Sequence, residues 1–547
     1  PPYYYQTKSF VKIYDIGDRN SPKLINTLTY DGNYFDARMI GDYVYLVTQQ
    51  PITYYNDSII MPTIEYFGAS STRSMDIMPR DIYYFDMPDY SYRLTTIFAF
   101  DLSSDRSPTK STYLTGYAQD MYVSNDNIYL VSQKYMPYVE RQRMIFEKVL
   151  LSLVDSQTAS KMKEIQASNL SAWEKQDKIE SLWETYYNKL VGNDKTSLLE
   201  RYNNRTREIE AEIEKELQKT IIHKISINKD NIEYDARTTV PGHVLNQFSM
   251  DEFEGNFRIA TTTGEVWNGN SLNHVYILDE DLSQIGALEN LARTERIYSV
   301  RFMGKRAYMV TFKKVDPLFV IDLSNPRSPS VLGELKIPGY SDYLHLYDEN
   351  HIIGIGKEAI DASTEDVNSR NLDFAWYQGV KLSLFDVTDV EHPKEISKFG
   401  IGDRGTDSIA LYEHKAFLFD KDKNLLVIPI TLHEIDRERY EPSAITATTY
   451  GKVSFIGAYV FNLDLDSGFK LKGRITHMDA NETANMLSRE WYYNDDSQIQ
   501  RSMYIDNTLY TLSKGTLKAN SLTDLSEIKS IDLPIQRSVY DGPVYAF

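Results

Sequence analysis

IQRSMYIDNTLYTLSKGTLKANSLTDLSEIKSIDLP (499–534) is followed at once by IQRSVYDGPVYAF (535–547), so the chain restarts a phrase it has just used. The first copy holds two hairpin patterns. RSMYIDNTLYTLS (501–513) reads as a short strand, a polar turn and a second strand. GTLKANSLTDLSEIKSIDL (515–533) reads as a β run, a turn built on Asp and Ser, and another β run. β-Branched and aromatic residues alternate on the arms. Asp, Asn, Ser and Pro gather at the turns, where side-chain caps and a fixed φ are useful.

Working outward, both patterns recur. The D-[LIV]-[ST] pattern, with Pro shortly after, is clear in FVKIYDIGDRNSPKLINTLTY (10–30), TTIFAFDLSSDRSPTKSTYL (95–114), LFVIDLSNPRSPSVLGELKI (318–337) and VKLSLFDVTDVEHPKEISKF (380–399). Weaker copies lie at 220–240, 274–291, 458–475 and 515–533, which makes eight. The other pattern appears at 34–48, 118–132, 245–261, 298–311, 342–356, 407–420, 501–513 and 537–547, again eight. Two alternating hairpins make a four-stranded unit, and radial repetition of such units is a β-propeller. The fold class is therefore all-β. The chain opens on an outer hairpin and ends on an inner one. Together these make one blade, so eight blades closed by pairing the N- and C-terminal strands are expected, with 535–547 joining 8–30. Closure would remove exposed sheet edges. The alternative is seven blades with a loose N-terminal hairpin.

Insertions interrupt the repeat. Residues 51–94 are rich in Tyr, Pro and Met and read as an ordered surface loop. Between 138 and 217 the apolar period becomes helical and Glu/Lys pairs appear at i,i+4, so two or three helices in need of a packing partner are expected. The organisation is thus 1–137 propeller, 138–217 helical insertion and 218–547 propeller. Smaller insertions at 358–378, 431–452 and 476–497 read as loops decorating one face.

With 78 Asp and Glu against 59 Lys and Arg, the formal charge is −19, which repels phosphate backbones and argues against nucleic acid as a partner. Cysteine is absent, removing disulfides, thiolate metal sites and cysteine nucleophiles. No apolar run reaches the roughly 18 residues of a membrane span. The chain begins PPYYYQTKSF without Met, so a removed leader is expected. Sequons at Asn56, Asn169, Asn204 and Asn481 are glycosylation candidates.

Several segments resemble a known family: 320–359, which contains VIDLSNPRSPSVLGELKIPGY, 380–430, 501–525, and YFDARMIGDYVYLV (34–47). They are similar to the secreted β-propeller domain family of archaea and some bacteria, distantly related to WD-type repeats. The resemblance covers nearly the whole chain and implies export and a propeller fold. It supplies no catalytic residues. This chain departs from the family in lacking an inner hairpin before the first outer one and in carrying an extra one at its end.

No G-x-S-x-G elbow, P-loop or dinucleotide fingerprint is present, and no catalytic residue is assigned. The site expected in a propeller is its channel mouth, lined by the first strand of each blade. The charged candidates there are Asp36, Arg38, Asp120, Arg301, Asp342, His345, Asp407, Arg501 and Arg537. They are expected to pair with one another and seal the channel. Calcium is the one cofactor left open, at Asp464 and Asp466 in NLDLDSG or at Asp420 and Asp422 in DKDKN. Neither stretch has the Gly and Glu positions of an EF-hand loop, and turns favour Asp for backbone reasons. His345 and His351 are the one close His pair.

The expected function is a non-enzymatic interaction scaffold, extracellular or at the cell surface, whose partner is another envelope or secreted protein. The alternatives are an envelope-carbohydrate binder or hydrolase and a calcium-stabilised structural module. WYQG (376–379) and REWYYNDD (489–496) support the carbohydrate alternative, because aromatic faces stack on sugars.

Overall fold

The D-x-[ST] pattern has a direct physical role. The Asp carboxylate accepts the backbone N–H two residues on, closing the turn between outer strands. This bond recurs at Asp15–Gly17 (2.8 Å), Asp101–Ser103 (2.9 Å), Asp322–Ser324 (2.9 Å) and Asp386–Thr388 (2.9 Å). In the computed structural model, which describes residues 7–534 except 56–57, 69–71, 86–90, 105, 314, 371–373, 440 and 489–495, the hairpins assemble into eight sheets of four or five strands and one two-stranded ribbon.

The sixth sheet shows the common plan. Strands Tyr340–Asp348, His351–Asp361, Ala375–Asp386 and Lys394–Ile401 pair in chain order, all antiparallel. The third strand is buried continuously from Gly379 to Phe385, as a strand covered on both faces must be, whereas the fourth alternates between exposed and half-buried residues.

The chain divides into two compact units. One comprises Pro1–Gln247 with Asp279–Ser283, the other Phe248–Leu278 with Gln284–Phe547. Within each, successive sheets pack face to face over their own apolar cluster. In the first unit, Leu28, Tyr30, Ile64 and Tyr66 meet Leu46, Phe98 and Phe100, and Val47, Ile97 and Tyr113 meet Ile128, Leu130 and Ile225. In the second unit the largest cluster joins the sixth and seventh sheets through Ile353, Leu382, Leu384, Leu426, Ile428 and Phe461.

Two expectations need correction. Among the described residues the sheets are not closed into a ring by strand pairing. The first sheet combines Lys8–Asp15 and Lys23–Asp31 with Ile64–Phe67 and Thr72–Ser74. Both added strands come from the 51–94 insertion, whose Ile64 and Tyr66 give it an alternating apolar edge that binds Lys23–Asp31. Strand Lys8–Asp15 stays a sheet edge among the described residues, and 535–547 lies outside them. Nor is 51–94 only a loop. Besides those strands it gives Ile82–Tyr84, which pairs parallel with Thr109–Thr115 in the second sheet.

Helices occupy Tyr138–Leu217: α1 (Tyr138–Ile145) running into a π turn at Phe146–Leu150, α2 (Ser156–Ala167), α3 (Ala172–Lys189) and α4 (Asn193–Leu217). Asp155 caps α2 through the Thr158 N–H at 2.8 Å, and Ser171 with Glu174 forms a capping box on α3. The packing partner these helices need is supplied by one another. Ile145 and Val149 meet Ile209 and Ile213, and Phe146 meets Met162 and Ile179. No helix of the described residues is long and apolar enough to cross a membrane.

The long insertions share one strand end. Those at 52–92, 134–218, 362–374 and 435–451 join second to third strands, and 476–500 leads into a first strand. In an antiparallel sheet both connections lie at the end where the first strand begins.

Candidate functional site

At that same end, the first strands of the second, third, fifth and sixth sheets carry a bulge at one equivalent position. Pairing skips a residue at Tyr34/Asp36, Ala118/Asp120, Ile297/Ser299 and Ser341/Tyr343, leaving Phe35, Gln119, Tyr298 and Asp342 as the extra residues. A bulge re-aims a side chain and bends the strand. In the sixth sheet Gly356 makes the bulge possible, since a Cβ there would lie 1.7 Å from the Tyr340 carbonyl oxygen. Glycine is required at 356 for this close approach rather than for a special φ.

The bulge sorts the predicted charges into two registers. In the first unit Asp36 and Arg38 follow the bulge on one strand face and form an ion pair at 2.8 Å. The Asp36 carboxylate also accepts from Tyr34 Oη, and Arg38 donates to Gln247. Asp120 is half-buried and has no hydrogen bond or ion pair among the described residues. Burial alone pushes its carboxyl up to about 6.

In the second unit, Asp342 stands at the bulge itself. It makes no hydrogen bond or ion pair among the described residues. Burial pushes its carboxyl up to about 7, and Asp407 raises it further, while Lys357 and Arg296 act in the opposite direction. Lys357 bonds Asp407 at 2.9 Å and the Thr406 carbonyl at 3.0 Å. Asp407 itself is held by reciprocal backbone bonds with Thr431. Beside this group lies an aromatic wall. Tyr340 touches Tyr298, Phe312 and Tyr377, with ring centroids 4.6, 4.8 and 5.0 Å apart. The Tyr298 and Tyr377 hydroxyls bond at 3.0 Å, and Arg296 lies over the Tyr298 ring at 4.8 Å. Arg404 sits over Trp376 at 4.9 Å and Tyr450 at 4.6 Å, and donates to the Tyr377 carbonyl at 2.8 Å.

The other register of this unit is packed. Arg301 lies over the Phe248 ring at 4.9 Å, and Phe248 touches Tyr343 and His414. His345 bonds the Tyr343 hydroxyl through Nδ1 at 2.9 Å and stacks near Phe417. Burial lowers its pKa to about 4, so it is neutral at pH 7. Arg501 pairs with Glu413 at 3.3 Å. Arg537 lies outside the described residues.

The calcium candidates hold turns. Asp464 accepts from Ser467 N and Oγ at 2.6 and 2.7 Å. Asp420 accepts from Lys423 N at 2.8 Å and from Tyr504 Oη. Among the described residues no group of three His, Asp or Glu could hold a metal ion, and Asp422 and Asp466 join none. His351 bonds Asp348 at 2.8 Å, apart from His345. Asn169 is exposed at the bend between α2 and α3. Asn481 is exposed at the start of the helix Ala480–Ser488, and Asn204 is exposed on α4, where Arg207 donates to it. Asn56 and 489–495 lie outside the described residues.

Lys357, Arg296, Tyr298, Tyr340 and Arg404 were not singled out by sequence. The signal for Lys357 is the lysine that ends the glycine-spaced run IIGIGK (352–357). Trp376 and Tyr377 were, through WYQG.

These features define a β-propeller whose sheets present polar and aromatic groups at their insertion-bearing ends. The chain matches the family described as Beta propeller domain over residues 1–525, and it belongs to that family. It is 30% identical over 403 residues to an uncharacterized protein of Archaeoglobus fulgidus, covering 73% of this chain and 59% of that one. It is 32% identical over 436 residues to an uncharacterized protein of Methanocaldococcus jannaschii, covering 77% and 63% respectively. The chain thus spans about three fifths of the length of these relatives.

Proposed function

We propose that this chain is a non-enzymatic binding module, exported or held at a cell surface, that offers the insertion-bearing ends of its sheets to another macromolecule. The observation that carries this reading is that every long insertion leaves a sheet at the end where its first strand begins. Rigid strands carry variable loops, the usual division of labour in binding proteins. The helices at Tyr138–Leu217 are the largest of these elements, and they leave Trp173 and Val191 more than 70% exposed. Exposed aromatic anchors such as Trp173 concentrate binding energy at protein interfaces. The exposed sequons Asn169 and Asn481 support an exported protein.

The test is the native mass of the protein isolated gently from its own source, with and without residues 138–217. A discrete excess of one further subunit, lost in the deletion, is expected. The bare mass of its own chain in each form, 63.3 kDa for the full one, sinks the reading.

A further inference from the structure

The group around Asp342 points to a ligand of a particular chemistry. A half-buried carboxylate without a partner is costly, because desolvation is not offset by hydrogen bonds. Two donors stand near it: Lys357 pairs with Tyr340, two residues before Asp342 on the same strand, and Arg296 lies over the Tyr298 ring that touches Tyr340. An acceptor lies beside them in Asp407, 2.9 Å from the Lys357 ammonium. The site therefore offers donors and acceptors within one shell.

Several ligand classes fit this poorly. Apolar molecules would leave Asp342 unpaired. Phosphates and other compact anions would meet the Asp342 and Asp407 carboxylates. For a bare cation, Lys357 and Arg296 are in the way. Asp342 and Asp407 balance Lys357 and Arg296 formally, and the third cation, Arg404, is taken up by the Tyr377 carbonyl and the Trp376 and Tyr450 rings, so the ligand that matches is uncharged and carries groups that both donate and accept. Vicinal hydroxyls do this.

The wall supplies the second half of the match. Tyr377 and Tyr450 are 39% and 59% exposed, which leaves aromatic surface free for the C–H face of a ring. Tyr340 and Phe312, both buried, hold the Tyr377 ring from behind. The Tyr298–Tyr377 hydroxyl bond fixes its tilt. Arg404 reaches the Tyr377 carbonyl and the Tyr450 hydroxyl, tying the two rings to one guanidinium.

We propose that Asp342, Lys357 and Arg296, walled by Tyr377 and Tyr450, bind a neutral pyranose saccharide. This deepens the binding-module reading but rests on different residues. The helical insertion can fail as a docking element while this site still binds sugar, and the converse also holds.

The experiment is titration calorimetry of the whole chain with cellobiose, chitobiose and methyl α-mannopyranoside, with galacturonate and inorganic phosphate as charged contrasts. At least one neutral sugar should bind saturably. Asp342→Asn and Tyr377→Ala should each weaken it at least about tenfold, the effect of losing one well-made polar or stacking contact. Trp267→Ala, an exposed ring between strands of the fourth sheet, should leave binding unchanged. Tyr450→Ala lies on an exposed loop outside the core and keeps the test open if Asp342→Asn unfolds. The proposal is overturned if no neutral sugar binds, if binding ignores all three site substitutions, or if galacturonate or phosphate binds in preference.

Discussion

The first and sixth sheets use the same outer-hairpin phrase and end in different surroundings. In the sixth, VKLSLFDVTDVEHP lies between its own inner strands and the neighbouring sheets, and Val380, Leu382, Leu384 and Phe385 are fully buried. In the first, FVKIYDIGDRNSP forms an edge among the described residues, with no fully buried residue, and Phe10 is 66% exposed. Beside that edge runs a cavity of about 490 Å³ lined by Phe10, Val11, Tyr34 and Leu46. The phrase encodes a hairpin. What it buries depends on which strands lie inside it.

The largest expected effect follows from this contrast. Leu384→Ala should destabilise the second unit by about 3–4 kcal/mol, through lost transfer energy and an unfilled cavity. Val11→Ala, at the edge strand, should cost about 1 kcal/mol or less. Urea unfolding of both variants checks this. Equal losses would mean that the first sheet is as well covered as the sixth.

Next comes the bulge. Gly356→Ala places a methyl group against the Tyr340 carbonyl and should cost about 2–3 kcal/mol. Gly400→Ala, in the fourth strand of the same sheet, meets nothing within 4 Å and should be neutral or slightly stabilising. If the two variants melt together, the bulge is not held by that contact, and the placement of Asp342 loses its explanation.

How much of this was legible in the sequence follows the range of the interactions. The hairpins were legible because the Asp that closes each turn and the residue it caps lie two positions apart. The change of period after Pro137 was legible for the same local reason, and helices run from Tyr138. The first sheet was not. Ile64 and Tyr66 bind a strand some forty residues earlier, and nothing in a Tyr- and Pro-rich stretch distinguishes a strand from a loop. The candidate site was half legible. Asp342 and Asp407 stood out as charges expected on first strands, although Asp407 lies outside the strands at a bridge to Thr431, but Lys357 comes from the neighbouring strand of the sixth sheet and Arg296 from the fifth sheet. The bulge that separates Asp342 from His345 is one residue of register, which periodicity alone does not reveal.

The two registers at Asp342 and His345 should respond to pH in opposite directions. Asp342 titrates near 7 in the fold against an ordinary 3.8, so its contribution is fully present below about pH 4 and is lost as pH rises toward 7. Lys357, Arg296 and Asp407 all face it, and their partial cancellation leaves burial in control. Asp342→Asn should therefore gain stability relative to the native chain on going from pH 5 to pH 8, on the order of 1–2 kcal/mol. His345 titrates near 4 against 6.5, so its contribution is present above 6.5 and is lost as pH falls toward 4. His345→Gln should flatten the acid side of the profile and leave the alkaline side alone. Chemical denaturation across pH 4–8 resolves both. Parallel profiles for the two variants would show that the registers share one environment.

The smallest effect is expected where the first-strand charges are already paired. Asp36 and Arg38 bond at 2.8 Å, with side chains 22% and 28% exposed, and each keeps another polar contact when its partner is removed. Coulomb attraction in so wet a setting is largely offset by the cost of ordering two side chains. Arg38→Ala should thus cost about 0.5–1 kcal/mol, and the double variant Asp36→Asn/Arg38→Ala little more than that. The effect should shrink further at 1 M salt, where screening reaches about 3 Å. A loss above about 2 kcal/mol that salt does not touch would mean that Asp36 is as desolvated as Asp342. The contrast between the paired Asp36 of the first unit and the unpaired Asp342 of the second would then fail. A small, salt-sensitive loss leaves Asp342 and Asp120 as the carboxylates still awaiting a partner.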